Sequence, residues 1–314
     1  MIMLKDRLKR IAIIGLGWTG QSLGLTLRQA LPAATIIGHD RDPDASKAAQ
    51  EAGAVHKTHW NLISATDGAE AILLALPAHE ALATMRALAP ELATGVLITD
   101  TAAVKAPLAA WARDNFPTNV YYVGGHPLGR KTAKPSATAF AGTTYCLTPT
   151  PEANPGAVSA VTEFVGILRA NAVFLDPVEH DSLMVGLQYL PVLAAAITVQ
   201  MLEDSRARKD LHRLREAVPA EVISLAEQVS DVISGEAPPA SKEALLHWLD
   251  RHIAALNEVR ATVNTGDSDQ LKEMLEKAEA TIGHWLPQSR DDSDESSPET
   301  SPQGGSWRRL LGMR

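Results

Sequence analysis

The sequence predicts an α/β fold: a doubly wound parallel sheet in the N-terminal half, then an all-helical C-terminal half. Three observations carry this. Strand-like and helix-like segments alternate from Ile11 to Leu175. The first of these strands, Ile11–Ile14, runs directly into Gly15-Leu16-Gly17-Trp18-Thr19-Gly20 and then into a helical pattern with Leu23, Leu27 and Leu31 on one face. From Val178 onward strand signals vanish.

Taken in order, Ala34–Gly38 is a second strand and Asp44–Gly53 a helix closed by its glycine, leading into a short strand at Ala54-Val55. Asp67-Gly68 introduces a buried strand, Ala71–Leu76, which Pro77 stops. His79–Leu92 reads as a helix, Gly95–Asp100 as a strand, Val104–Asn115 as a helix and Val120–Gly124 as a strand. Tyr145–Thr148, the helix Val158–Leu168 and the strand Ala172–Leu175 complete a first domain over residues 1–177. Residues 178–287 form a helical domain. Its first helix, Val178–Glu203, has no charge between Asp181 and Glu203, so it lies buried or at a subunit contact, interrupted by Pro191. Leu211–Ile233 with Pro219, a loop at Gly235–Ser241, and amphipathic helices over Lys242–Val263 and Asp269–Trp285 follow. Residues 288–314 are an acidic, Ser/Pro-rich tail ending in a short basic stretch, Ser306–Arg314, too poor in apolar residues to order itself.

The glycine motif has a physical reading. Gly15 allows the tight turn, Gly17 leaves room for a pyrophosphate and Gly20 lets the helix pack against the strand, so that free helix N–H groups face the phosphates. With the intervening Leu16, Trp18 and Thr19, the loop is a dinucleotide site. Asp40 lies 20 residues after Gly20, where a carboxylate accepts hydrogen bonds from the adenosine ribose and repels a 2′-phosphate. The cofactor is therefore NAD, with NADP as the second candidate because Arg41 can pair with a phosphate. Leu76 and Pro77 line the cofactor side of the cleft.

Bulk properties narrow the classes. A formal net charge of −8 gives no electrostatic footprint for nucleic acid. The single cysteine, Cys146, suits a reducing cytoplasm and leaves no internal disulfide framework. No signal peptide is read at the N-terminus, and no uninterrupted apolar run reaches the ~20 residues of a membrane span. Scattered histidines leave no metal site, and His180-Asp181 reads as polarity at a helix start.

Four segments resemble the prephenate and arogenate dehydrogenases: Gly15–Gly20, Thr99–Lys105, Val123-Gly124-Gly125-His126-Pro127, and Glu179-His180-Asp181 with Gln188-Tyr189-Leu190-Pro191. The resemblance continues through Asp210–Arg213 and Leu246–Trp285. It implies NAD(P)-linked oxidation of a cyclohexadienol with loss of the ring carboxylate as CO₂, in tyrosine biosynthesis. His126 is then the base that takes the hydroxyl proton, its conformation restricted by Pro127. Arg213 aligns with an arginine that grips a substrate carboxylate, with Arg215 as its rival. Lys105 pairs beside the ligands or caps its helix, and Thr101 belongs to the cofactor side. The chain departs from the family at Ala103, where a serine is usual, and at Gln188-Tyr189, where Ser-His is usual; Gln188 and Tyr189 then supply substrate hydrogen bonds. The small-molecule substrate is prephenate, with arogenate as the alternative, and the long apolar helix suggests a homodimer. A β-hydroxyacid dehydrogenase would need a lysine on that helix, and none occurs between Lys134 and Lys209. A non-catalytic dinucleotide-binding protein is the remaining alternative.

Overall fold

The computed structural model describes residues 8–129, 132–229 and 242–285. Eight strands form one sheet in the order β3-β2-β1-β4-β5-β6-β7-β8, with β1 Arg10–Ile14, β2 Thr35–His39, β3 Lys57–Thr58, β4 Ala71–Leu74, β5 Leu97–Asp100, β6 Tyr121–Pro127, β7 Thr144–Thr148 and β8 Asn171–Phe174. The predicted strand at Ala54-Val55 is displaced to Lys57-Thr58; Ala54 and Val55 are core residues ahead of it.

Alternation along each strand sends successive side chains to opposite faces. Ile11 and Ile13 join one core with Leu23 and Leu27 of helix α1 (Trp18–Ala30), whereas Ala12 and Ile14 join a second core with Met85 and Leu88 of a helix on the other face. Both faces are thus covered, as a central parallel strand requires. Helix α2 spans Pro43–Glu51, α3 Leu62–Thr66, α4 Ala78–Leu88, α5 Ala106–Asn115 and α6 Pro155–Ile167.

The sheet is parallel only through β6. β7 runs antiparallel to β6, pairing Cys146 with His126, and β8 runs parallel to β7. The reason lies in the connections. A parallel neighbour needs a long crossover, usually helical; α6 provides one between β7 and β8, while the connection from β6 to β7 carries no helix among its described residues. β1, β4, β5 and β6 are consecutive parallel neighbours, so their carboxyl ends open on the same edge, where such sheets bind ligands.

The long apolar helix is two helices. α7 (Pro177–Met184) is joined to α8 (Leu190–Glu203) by a wider turn over Val185–Tyr189, in which Leu190 N–H reaches back five residues to Val185 O. Pro191, which cannot donate to the preceding turn, sits in the first turn of α8. Taken together, Pro177–Glu203 is long and apolar enough to cross a membrane by length and composition, a property that the core helix of a soluble protein shares. It is not fully buried: Val178, Leu187, Ile197 and Met201 are exposed. Short helices α9 (Arg208–Arg213) and α10 (Ala220–Glu227) follow, then α11 (Lys242–Thr265) and α12 (Ser268–Trp285). One compact unit, which holds the sheet, ends at His252, and a second begins at Ile253. In the first, Trp248 Nε1 donates to Ser182 O at 3.0 Å; in the second, Thr262 and Gln270 are hydrogen-bonded at 3.2 Å. The predicted loop at 235–241 and the tail at 288–314 lie outside the described residues.

Candidate active site

The glycine loop is built as its spacing requires. Gly15 has a φ of +91°, and a Cβ there would strike Ala75 O at the end of β4. A Cβ at Gly20 would strike Gly15 O, whereas one at Gly17 would meet nothing within 4 Å. Close packing is therefore demanded at the first and third glycines, and open space lies at the second. No side chain caps the N-terminus of α1, so its free N–H groups are available to phosphate oxygens. Asp40, just past β2, accepts from Leu16 N–H at 2.7 Å and from Asp42 N–H at 2.8 Å, which fixes the carboxylate beside the loop. Asp40 and Arg41 line a depression with Lys47 and Trp60. Arg41 is engaged by Glu80 of α4 at 2.7 Å. These residues fit a dinucleotide with a free ribose 2′-hydroxyl.

Gly17, Trp18, Thr19, Leu76, Pro77, Thr101, Ala103 and His126 share a second cleft of about 290 Å³, closed on one side by Phe140. Trp18 meets Phe140 edge-on at 6.3 Å between ring centroids. Four strand ends thus deliver the predicted loop, Leu76 and Pro77 beyond β4, Thr101 after β5 and His126 of β6 to one place.

His126 is 6% exposed. Its Nδ1 lies 3.0 Å from His180 Nε2, and His180 Nδ1 lies 2.9 Å from Asp181 Oδ1. Asp181 also accepts the main-chain N–H groups of Lys105 (2.7 Å) and Ala106 (2.9 Å), and so caps α5 from a distant part of the chain. Burial, the Lys105 ammonium and His180 together hold the His126 pKa well below the ordinary 6.5, so the neutral ring is the resident form.

Lys105 does not reach the cleft. It is entirely buried, with its ammonium on Asp100 and on Gly125 O at 2.6 Å. Asp100 also accepts from Ala102 N–H (2.8 Å) and Tyr122 OH (2.6 Å). Burial lowers the Lys105 pKa against the opposing pull of Asp100, and raises that of Tyr122. The substrate role expected for Lys105 gives way to one beneath the strand that carries His126, because a side chain starting at the head of α5 points back under β6.

The other substrate candidates also lie elsewhere. Arg213 is exposed at the end of α9, 3.6 Å from Asp210, and Arg215 is exposed too. Gln188 is exposed and Tyr189 buried in the wide turn, neither lining the cleft with His126. Among the described residues, that lining contains no lysine or arginine. His180 and Asp181, expected as polarity at a helix start, instead form the hydrogen-bonded chain behind His126. Their signal was present: they are the last polar pair before a long uncharged run, where a buried charge needs a partner. Asp100, at a strand end beside Thr101, carried no such mark. No group of three or more candidate metal ligands occurs among the described residues.

Comparison with known proteins points one way. Residues 23–174 match the family model described as prephenate dehydrogenase, nucleotide-binding domain. A prephenate dehydrogenase of Bacillus subtilis is 25% identical over 276 residues, 86% of this chain and 74% of that protein. Among solved structures, prephenate dehydrogenase from A. aeolicus with hydroxyphenyl propionate and NAD+ shares the fold at a TM-score of 0.74 and 18% identity, covering 89% of this chain and all but 1% of that one. Arogenate dehydrogenase from Synechocystis does so at 0.71 and 22%, covering 88% and 100%.

Proposed function

We propose that this chain, whose residues 23–174 match the prephenate dehydrogenase nucleotide-binding model, catalyses NAD-linked oxidative decarboxylation of prephenate to 4-hydroxyphenylpyruvate, a step of tyrosine biosynthesis. The observation that carries this reading is His126, a neutral imidazole on the wall of the cleft that also holds Gly17, Trp18 and Thr19 of the nucleotide loop.

Gly15, Gly17, Gly20 and the N-terminus of α1 would hold the cofactor's phosphates, and Asp40 the adenosine ribose. The chemistry that a bound NAD+ supplies is acceptance of the hydride from the ring carbon bearing the hydroxyl. His126 takes the hydroxyl proton as that C–H bond breaks, leaving a carbonyl. The bond to the ring carboxylate then breaks, CO₂ leaves, and its electron pair makes the ring aromatic with the negative charge on oxygen. His126 returns the proton to that oxygen and is neutral again. Trp18 and Phe140 wall the cleft against water. Ala103 lines it where the family usually has a serine, so the substrate hydroxyl relies on His126 without that neighbour's help.

The exposed apolar residues Val178, Leu187, Ile197 and Met201 on α7, the wide turn and α8 support a homodimer built on this surface. Composition and the lone, buried Cys146 support a cytoplasmic location.

The deciding assay supplies prephenate or arogenate with NAD+ or NADP+ and follows reduction of the cofactor. Wild type reduces NAD+ with prephenate, and His126→Asn loses turnover while still binding NAD+. Equal rates for the two proteins would remove His126 as the base; cofactor binding with no turnover on either substrate would leave a non-catalytic binding protein.

A further inference from the structure

Mechanism alone does not say which ring nitrogen of His126 carries the proton, and only the bare nitrogen can act as a base. The hydrogen bonds behind the ring decide it. Asp181 Oδ1 accepts from Lys105 N–H and faces His180 Nδ1 at 2.9 Å; a carboxylate offers only lone pairs, so His180 Nδ1 must bear the hydrogen. His180 has no exposed surface, and burial disfavours a charged ring; in its uncharged form it presents a lone pair at Nε2, 3.0 Å from His126 Nδ1, which then bears its own hydrogen. With Nδ1 engaged by His180, Nε2 is the nitrogen of His126 left bare for the cleft that the residue lines.

We propose that His180 and Asp181 are positioning residues that impose this tautomer on His126 and so make it a base, an inference that rests on the dehydrogenase reading for its kinetic consequence but not for its chemistry. The arrangement transmits orientation in the same sense that a buried carboxylate fixes the imidazole of a hydrolytic triad. It also meets the charge that His126 acquires. A proton added at Nε2 makes Nδ1–H a stronger donor to His180, whose own Nδ1–H already points at the Asp181 carboxylate. Asp181 is held against rotation because its two oxygens also accept the first N–H groups of α5, so the anchor is tied to the helix that follows β5.

The groups facing His126 are few. From α7 come His180 and Asp181, from the start of α5 Lys105, from β5 Asp100 behind Lys105, and from β7 Cys146, which pairs with His126 across the sheet. Burial raises the Cys146 thiol above its ordinary pKa, which keeps it protonated. Lys105 and Asp100 compensate one another in their buried pair.

Two measurements on the full-length protein test the proposal. The first is ¹⁵N NMR of histidine-labelled wild type, with the signal assigned by its loss in His126→Asn. At neutral pH His126 is observed with hydrogen on Nδ1 and a bare Nε2; hydrogen on Nε2 would overturn the proposal whatever the enzyme acts on. The second compares His180→Phe, which keeps a ring but offers no acceptor, with His180→Gln, whose amide oxygen can accept from His126 while its amide group donates to Asp181. His180→Phe is expected to lower kcat by about 10²-fold, the order of a lost general base, with KM for NAD+ unchanged and the His126 signal moved toward the Nε2–H form. His180→Gln recovers most of that loss. A wild-type kcat and unmoved tautomer in His180→Phe would refute the assignment, as would equal losses in both variants with the tautomer preserved. If His180→Phe does not fold, the wild-type spectrum still decides. Should the protein turn over neither substrate, the functional reading fails while the tautomer measurement stands apart.

Discussion

The ammonium of Lys105 and the carboxylate of Asp100 form an ion pair with no exposed side-chain surface on either partner. Around it, Gly125 O accepts from Lys105 while Ala102 N–H and Tyr122 OH donate to Asp100, so the charges are satisfied by hydrogen bonds as well as by each other. The pair joins the end of β5 to the strand residue immediately before His126. Breaking a buried pair from one side leaves an uncompensated charge, so Lys105→Met should destabilise the protein by about 3–5 kcal/mol. Removing both charges in Lys105→Met/Asp100→Asn should recover much of this in chemical denaturation. A single variant as stable as wild type would show that the pair does not tie the site together.

The low pKa of His126 fixes the direction of the pH response. A histidine whose folded pKa lies below its ordinary 6.5 is neutral through the physiological range, so kcat/KM should stay level down through pH 6.5 and fall only at more acid pH. Stability follows the same sign: it is fully present above about 6.5 and declines as pH drops from there through the lower folded value, because the unfolded chain binds the proton first. A kinetic acid limb centred above 6.5 would contradict the burial of His126.

Ala103 lines the cleft beside Thr101 and His126, on the turn after β5. Ala103→Ser places a hydroxyl where the dehydrogenases that this chain resembles usually carry one. A hydrogen bond gained in the transition state is worth about 0.5–1.5 kcal/mol, so kcat/KM should rise up to roughly ten-fold. A decrease would mean that this cleft is shaped around the methyl group.

Cofactor choice should depend on two carboxylates. Asp40→Ala removes the group that disfavours a 2′-phosphate, and Glu80→Gln releases Arg41 from its 2.7 Å ion pair. Each variant should narrow the ratio of kcat/KM for NAD+ over NADP+, the double variant most. An unchanged ratio in Asp40→Ala would remove that residue from cofactor selection.

The exposed apolar surface of α8 predicts association. Ile197 and Met201, one turn apart, are both more than half exposed. Sedimentation velocity should show a dimer for wild type and a monomer for Ile197→Glu/Met201→Lys. An unchanged species would place the interface elsewhere.

By itself the sequence determined the nucleotide half of this protein. Ile11–Ile14, the three glycines and Asp40 are local signals: a strand buried on both faces, a turn without Cβ atoms and an acid at fixed spacing each state their constraint within a few residues. The placement of His126 at a strand end was legible for the same reason, the residue being flanked by Gly-Gly and proline. Tertiary structure alone decided the rest. Strand direction beyond β6 depended on which connection carries a helix, and the fates of Lys105, Gln188 and Arg213 depended on where their elements turn. The pairing of His126 with His180 joins residues 54 apart in sequence. Local patterns report the propensities of neighbours, whereas a buried hydrogen-bond network is set by the packing that brings distant polar groups out of water together.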